Sequence, residues 1–417
     1  MEDPRSTNPS DVRRIVILDP GLRSLLGHHV NYARAMMHAA APRNVDTVIF
    51  CSNRAPPELV AELPAIPHFS VETYDKPPIS PSRPDSDYES WVVQGSQLLV
   101  LNMHFLSNLF GVSAQIGPGD HIFFNSVLPN QLLAICQWLS AFPEETRPPS
   151  TIVLRYWEHT RFWRPAFELC ASILNRSEMR CRVCSDTVEL AVLYADMMGR
   201  PVDRLPIPHM PPAIDPAAPR RHFRPEGLPP GTVTVGYLGE TRVEKGAGFL
   251  TSVVEELTRR GAPSFHLLMQ VSAPWGLPPD VIGELQKLVA MTGDKVTLLM
   301  EILSTEDYYA LLQDSDIVLI NYDPERYRHS SSGIFTEAIA AGKVVVIPAD
   351  TSIEREAQRF DMGYTGIARF DAMSVAEALY RALSDYPALA DRSRRGKAAV
   401  EAYHNPDNLM AHLLGEL

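Results

Sequence analysis

The sequence predicts an α/β protein of two doubly wound halves facing a central cleft, and three observations carry that expectation. Short β-branched runs alternate with longer amphipathic segments, the pattern of βα units around a parallel sheet. The alternation completes one domain and then begins again. Between the two series, from Pro206 to Pro230, nine of 25 residues are proline. Proline fixes φ and removes a backbone donor, so this stretch can continue neither a helix nor a central strand. It reads as an interdomain linker over residues 208–230.

Residues 1–11 are polar and expected to be disordered. The first domain, residues 12–207, then reads as strand Arg14 to Leu18, helix His29 to Ala40, strand Val45 to Cys51 and strand Phe69 to Tyr74. A long helix from Tyr88 to Phe110 and strand His121 to Asn125 follow. Helix Asn130 to Ser140, strand Thr151 to Tyr156, helix Trp163 to Leu174, strand Arg180 to Cys184, helix Val188 to Met198 and strand Asp203 to Ile207 complete it. A Pro-rich zone, Pro56 to Pro84, holds eight prolines and reads as a surface excursion.

The second domain, residues 231–387, opens with strand Val233 to Leu238, helix Ala247 to Arg260, strand Phe265 to Gln270, helix Pro279 to Met291 and strand Val296 to Met300. Helix Glu306 to Gln313, strand Asp316 to Asn321, helix Gly333 to Ala341, strand Val344 to Pro348 and helices Ile353 to Phe360 and Ser374 to Leu383 follow. Residues 388–417 carry two more helical patterns, SRRGKAAVEAYH and NLMAHLLGEL, with an expected return of the last helix to the first domain.

Composition narrows the function classes. Of 417 residues, 45% are hydrophobic and 21% charged, which is ordinary for a globular protein. Lys plus Arg total 38 against 50 Asp plus Glu, a net charge of −12, and no long basic run offsets it. A nucleic-acid backbone binder is therefore disfavoured. No apolar run approaches the roughly 18 to 20 residues of a spanning helix, and MEDPRSTNPSDVRR has no apolar signal region, so a cytoplasmic location is expected. Five cysteines, an odd number, fit a reducing compartment. Cys181 and Cys184, three apart in a strand, face opposite ways and read as core, not as a metal site.

In an open parallel sheet ligands bind beyond the carboxyl ends of the strands. TVTVGYLG ends at Gly239, and Thr241, Arg242, Glu244, Lys245 and Gly246 follow before a helix. A guanidinium, an ammonium and helix amides there suit a diphosphate; a merely charged loop is the alternative. After DIVLIN comes YRHSSSGIFTEAIAAGKVVVIP. Ser332, Gly333 and Ile334 open a helix whose amides can face an anionic oxygen, and Glu337 follows one turn in. Glu337 can accept two hydroxyls of a ribose diol, or can simply complement the helix dipole.

The pieces Gly239-x-x-Arg242-x-x-Lys245-Gly246, STEDYYALLQDSDIVLINYD and SSGIFTEAIAAGKVVVIP, in this order and spacing over residues 232–370, resemble the donor-binding half of GT-B glycosyltransferases, of the retaining family 4 type. The resemblance implies two Rossmann-like domains and a nucleoside-diphosphate-sugar donor, UDP- or GDP-linked. It implies that Arg242 and Lys245 clamp the diphosphate, that the amides at Gly333 and Ile334 contact phosphate or sugar, and that Glu337 binds the ribose. In the family a Glu commonly stands eight residues before that ribose ligand; here the position is His329. The loop after strand Val296 to Met300, at Glu301 and Ile302, is the candidate for meeting the base.

In the first domain the loop after RIVILD carries Gly27, His28 and His29. Gly27 would permit close backbone approach to donor phosphates, and His28 or His29 would project into the cleft. No GxGxxG follows this strand, which disfavours a dinucleotide. RYWEHTRFW offers Arg155, Glu158 and His159 as acceptor-side candidates, or as a solvated packing edge. Ser185 and Asp186 read as caps of the next helix.

The expected chemistry is transfer of a sugar to the hydroxyl of a glycan, lipid or small metabolite. No metal or other cofactor is required if Arg242 and Lys245 neutralise the leaving group. Retention would let the departing phosphate take the acceptor proton, whereas inversion would call for a base, with His28, His29 and His159 as candidates. A non-catalytic nucleotide-binding partner protein and a nucleotide-sugar epimerase on the same fold are the alternatives. The acidic balance weakens contact with an anionic membrane, for which only the Arg155 to Arg182 segment offers a basic face.

Overall fold

The structure, a computed structural model, describes residues 12–25, 27–73, 75, 87–155, 160–176, 179–212, 220–239, 241–271, 278–292 and 295–416. The chain divides into two compact units, one running to Pro208 and completed by Asn405–Leu417, the other His209–His404. Each is built on one all-parallel sheet with helices on both faces.

In the first unit the strands are β1 (Arg14–Asp19), β2 (Asp46–Ser52), β3 (Ala65–Phe69), β4 (Asp120–Val127), β5 (Ser150–Leu154), β6 (Cys181–Ser185) and β7 (Asp203–Arg204), in the order β3-β2-β1-β4-β5-β6-β7. The helices are α1 (His28–Ala40), α2 (Pro57–Glu62), α3 (Asp87–Val112), α4 (Pro129–Ser140), α5 (Thr160–Leu174) and α6 (Val188–Met198). The order reverses between β1 and β4, so a crevice opens at their carboxyl ends. β1 shows why both faces must be covered: Val16 and Leu18 enter one core while Ile15 and Ile17 enter the other. Cys181 and Cys184 likewise lie in different cores, as their spacing predicts.

The edge strand β3 corrects one reading. The strand expected over Phe69 to Tyr74 lies earlier: the pairing with β2 ends at Phe69, residues 70–73 are in no strand, and Tyr74 lies outside the described residues. Pro67 lies within β3, which the edge position permits because one side of that strand has no ladder to complete.

The second unit contains β8 (Val233–Tyr237), α7 (Leu250–Arg259), β9 (Phe265–Gln270), α8 (Pro279–Thr292), β10 (Val296–Leu299), α9 (Thr305–Asp314), β11 (Ile317–Leu319), α10 (Gly333–Ala340), β12 (Val344–Pro348), α11 (Ser352–Arg359), β13 (Tyr364–Ile367), α12 (Ala372–Ser384) and α13 (Tyr386–Tyr403). Its order, β10-β9-β8-β11-β12-β13, reverses between β8 and β11. The strand β13 has no clear signal in the sequence because its burial is partial and its alternation short.

Part of the Pro-rich stretch is packed. Phe223 is buried in a core of the second unit, and Asp314 on α9 accepts hydrogen bonds from Arg220 and from the Phe223 amide, at 2.6 and 2.7 Å. At the other crossing the His209 N–H donates to the His404 carbonyl at 2.9 Å. The last helix, α14 (Pro406–Leu414), is N-capped by Asn405 and packs on α1, burying Leu409, Met410, Leu413 and Leu414 in a first-unit core. Arg43 fixes it further by pairing with Asp407 at 2.7 Å.

Candidate functional site

In the second unit the loop after β8 and the turn before α10 are brought together at the reversal point. Gly239 has φ +85°, and a Cβ there would lie 2.4 Å from Ile334 Cδ1, so the glycine lets the first loop touch the first turn of α10. Its N–H donates to Gln270 Oε1 at 2.9 Å, and the Thr241 hydroxyl donates to the Gln270 carbonyl at 3.2 Å. Gly246 has φ +68° and sits against Asn321, whose Nδ2 donates to the Gly246 carbonyl at 3.0 Å. A Cβ at Gly246 would meet the Asn321 backbone oxygen at 2.8 Å, which no rotamer change relieves. Gly246→Ala is therefore expected to cost about 2 kcal/mol or more of second-unit stability, read as a fall in Tm; an unchanged Tm would refute this packing.

Between these glycines stand the cations. Arg242 is half-exposed and lies 4.0 Å from Glu244, which is also 3.4 Å from Arg326. The Asp323 N–H donates to the Glu244 carbonyl at 3.0 Å, tying this loop to the one after β11. The Lys245 ammonium is 5.3 Å from the centroid of the Tyr322 ring, within cation–π reach, and the Tyr237 hydroxyl donates to the Lys245 carbonyl at 3.1 Å. Arg242, Lys245 and Arg326 thus gather at this edge of the sheet, with Glu244 and Asp323 among them.

Ser332 caps α10: its Oγ accepts from the Phe335 N–H at 3.2 Å. The turn before it is pinned from α11, where the Ser352 hydroxyl donates to the Ser330 carbonyl at 2.7 Å and the Ser352 N–H to the Arg328 carbonyl at 3.0 Å. His329 lies inside that pinned turn, partly buried. Glu337, one turn into α10, accepts from the Tyr308 hydroxyl at 2.5 Å, and burial pushes its carboxyl up to about 7 against the opposing effect of that bond. Burial also raises Tyr322, to about 12, with a hydrogen bond from Ser332 opposing. A carboxyl held near neutrality by burial at a helix start, near the Tyr322 ring that Arg242 and Lys245 also approach, is an arrangement met at functional sites. Glu301 and Ile302 follow β10 and are exposed; Glu301 pairs with Arg221 at 2.7 Å.

In the first unit the reversal point holds a buried polar network. Asp19, the last residue of β1, accepts from Gly21 N–H at 3.0 Å, from Asn125 Nδ2 at 3.0 Å, and pairs with His29 Nδ1 at 2.7 Å. Burial alone would raise the Asp19 carboxyl; the charge and hydrogen bond of His29 outweigh it and hold it below the usual range. Arg155 donates to Asp186 at 2.8 Å, to the Asn125 carbonyl at 2.9 Å and to Asn125 Oδ1 at 3.1 Å, and covers the Tyr32 ring at 4.3 Å. His28 stacks on His29 with centroids 4.1 Å apart, and burial, aided by His29 and Arg155, keeps it neutral well below its ordinary pKa.

Gly27 has φ +90° and no protein atom within 4 Å of a Cβ placed on it. Within the protein the close approach is at Gly21, where a Cβ would fall 2.2 Å from the His29 ring. Two sequence readings change here. His29 is buried against Asp19, so it braces the network. Ser185 and Asp186 do not cap α6; Thr187 does, accepting from the Leu190 N–H at 3.1 Å, while Asp186 serves Arg155. Glu158 and His159 lie outside the described residues. Sequence reasoning misses Asp19, Asn125, Tyr308 and Asn321, although each polar strand-end residue closes an apolar run in RIVILD, HIFFN and DIVLIN.

Two parallel α/β units, each with polar groups gathered where its strand order reverses, define the class: the fold is that of the GT-B glycosyltransferases. No protein-family model matches the sequence, and no curated protein does. Solved structures match over nearly the whole chain. Sucrose-phosphate synthase from Thermosynechococcus elongatus is 15% identical with a TM-score of 0.62, over 97% of this chain and 98% of that one. A UDP-forming α,α-trehalose-phosphate synthase from Burkholderia xenovorans is 14% identical, TM-score 0.65, over 97% and 98%. HepE from Anabaena, in complex with UDP, is 12% identical, TM-score 0.62, over 97% and 100%. Among the described residues no helix is long and apolar enough to cross a membrane.

Proposed function

We propose that the protein is a glycosyltransferase that moves a sugar from a nucleoside-diphosphate sugar to an acceptor hydroxyl. The observation that carries this reading is the convergence, at one reversal point, of Arg242, Lys245, the amides opening α10 and the carboxyl of Glu337. That set matches a diphosphate joined to a ribose, anion beside cations and diol beside an acceptor. HepE, of like fold, is solved with UDP and with UDP-glucose, which favours uridine as the base, with Ile302 and Glu301 as its neighbours.

In the reaction the bond from the anomeric carbon to the diphosphate oxygen breaks, and its electron pair leaves with the diphosphate. Arg242, Lys245 and the first amides of α10 meet that growing charge, so they bind the transition state more tightly than the ground state. They supply this charge without a metal. The acceptor oxygen forms the new bond, and in a retaining route its proton passes to the departing phosphate. Neutral His28, on the braced Asp19–His29 pair, is the acceptor-side group of the first unit.

Calorimetric titration with UDP, GDP and ADP, each against its monophosphate, tests the reading. One diphosphate is expected to bind at least about tenfold more tightly than its monophosphate, since a charged contact is worth about 1.5 to 3 kcal/mol, and to do so equally in excess EDTA. Absence of binding by all three would refute it.

A further inference from the structure

Between the cationic loop and the start of α10 stands one aromatic ring. Tyr322, in the loop after β11, is buried in a core of the second unit. The Lys245 ammonium lies over its face, 5.3 Å from the centroid, and the Tyr327 ring packs on it at 4.3 Å between centroids. Both neighbours of Tyr322 in the chain are tied to the cationic loop: Asn321 Nδ2 donates to the Gly246 carbonyl and the Asp323 N–H to the Glu244 carbonyl, each at 3.0 Å. Ring and loop are therefore held as one piece. Ser332, Glu337 and Arg242 all lie close enough to act on the same phenol. Burial pushes that phenol up to about 12, so the ring is neutral and meets the ammonium through its π face, not as an ion.

We propose that Tyr322 is a positioning residue whose π face holds the Lys245 ammonium in place before a donor arrives. The inference rests on the donor reading above and adds to it a group that orients the lysine. A lysine stem is flexible, and an ammonium that has to be ordered during the reaction loses part of its effect to that ordering. One already held over a ring does not. The effect belongs to kcat: a ground-state diphosphate accepts an ammonium over a range of positions, whereas the charge of the transition state grows on the one oxygen whose bond breaks. The property of Tyr322 that matters is the electron density of its ring face, so the hydroxyl is dispensable.

The test reads kcat and KM separately, with the donor found by titration, in Tyr322→Leu, in Tyr322→Phe, and in proteins carrying a difluorinated or trifluorinated phenylalanine at the same position. Ring fluorines withdraw density from the π face and barely alter the packed shape. Tyr322→Leu is expected to lower kcat about tenfold and to change KM less than about threefold. Phenylalanine should restore most of that loss, and kcat should fall again as fluorines are added. In a Lys245→Ala background the phenylalanine and its fluorinated forms should share one kcat. A kcat indifferent to fluorination, or a KM that rises as far as kcat falls in Tyr322→Leu, would mean packing alone and overturn the proposal. A second readout needs no donor. With lysines labelled with carbon-13 at Cε, the Lys245 signal, identified by its loss in Lys245→Ala, should lie upfield through the Tyr322 ring current and move back in Tyr322→Leu. A signal that stays put in that variant would overturn the proposal and leave the donor reading standing. If the ring-current shift is present and no nucleoside diphosphate binds, it is the donor reading that has failed, and the proposal falls with it.

Discussion

Replacing Lys245 by alanine is expected to lower kcat by on the order of a hundredfold to a thousandfold while changing nucleotide affinity far less. The reasoning is differential: the donor diphosphate is already charged in the ground state, but the cleaved bond adds charge to the oxygen that leaves. Removing one preorganised donor at such an oxygen typically costs that much. The fold of the loop should survive, because Lys245 holds its place through the backbone, with its carbonyl accepting from Tyr237 and its amide donating to the Arg242 carbonyl at 3.0 Å. Its ammonium lies 5.3 Å from the centroid of the Tyr322 ring. Steady-state kinetics with the donor sugar found by titration is the measurement. A kcat within threefold of the native value would remove Lys245 from the mechanism.

The second large effect is expected at Glu337, and it has opposite signs for binding and stability. Glu337→Gln should weaken nucleoside-diphosphate affinity by about tenfold or more, since a charge-assisted acceptor for a ribose hydroxyl is lost. The same change should stabilise the ligand-free protein at alkaline pH. The folded carboxyl sits at about 7 against 4.5 in the unfolded chain, raised by burial. Between those values the folded state holds a proton that the unfolded state has released, so stability falls as pH rises from 4.5 through about 7. Below 4.5 both states are protonated and the penalty is absent; above about 7 it is complete, at roughly 3 kcal/mol for a shift of this size. Thermal melts of the native protein and Glu337→Gln should therefore converge near pH 4 and diverge by pH 8, with the variant the more stable. Parallel melting curves across that range would show that burial does not penalise the charge. A buried acid raised this far is a candidate for a functional group.

Much of the architecture is legible in the residues alone. The strands DIVLIN, VVVIP and FHLLMQ have apolar runs without a polar face, which a sheet covered on both sides accommodates, and β9 and β12 fall where the residues place them. The small residues before Ile334 announce a capped helix start, and Ser332 is that cap. Sequence and structure part where the local signal is weak. β13 is a short, half-buried edge strand, and β3 begins earlier than its β-branched residues suggest because its ladder with β2, not its own propensity, sets its limits. The cap of α6 is Thr187 and not its neighbours, because Asp186 is drawn away by Arg155, 31 residues distant in sequence.

The sequence by itself determined the two-part α/β plan and the location of the cationic loop and the helix start, since periodicity, glycine and cap residues act on neighbours a few positions away. Only the tertiary structure decided which groups share an environment. That Asp19 anchors His29 and Asn125, that Gly239 makes room for Ile334, and that Tyr308 already holds one oxygen of Glu337 depend on contacts between segments 10 to 106 residues apart. Burial, which turns an ordinary glutamate into an acid titrating near neutrality, is a property of those contacts and is written in no single stretch of the chain.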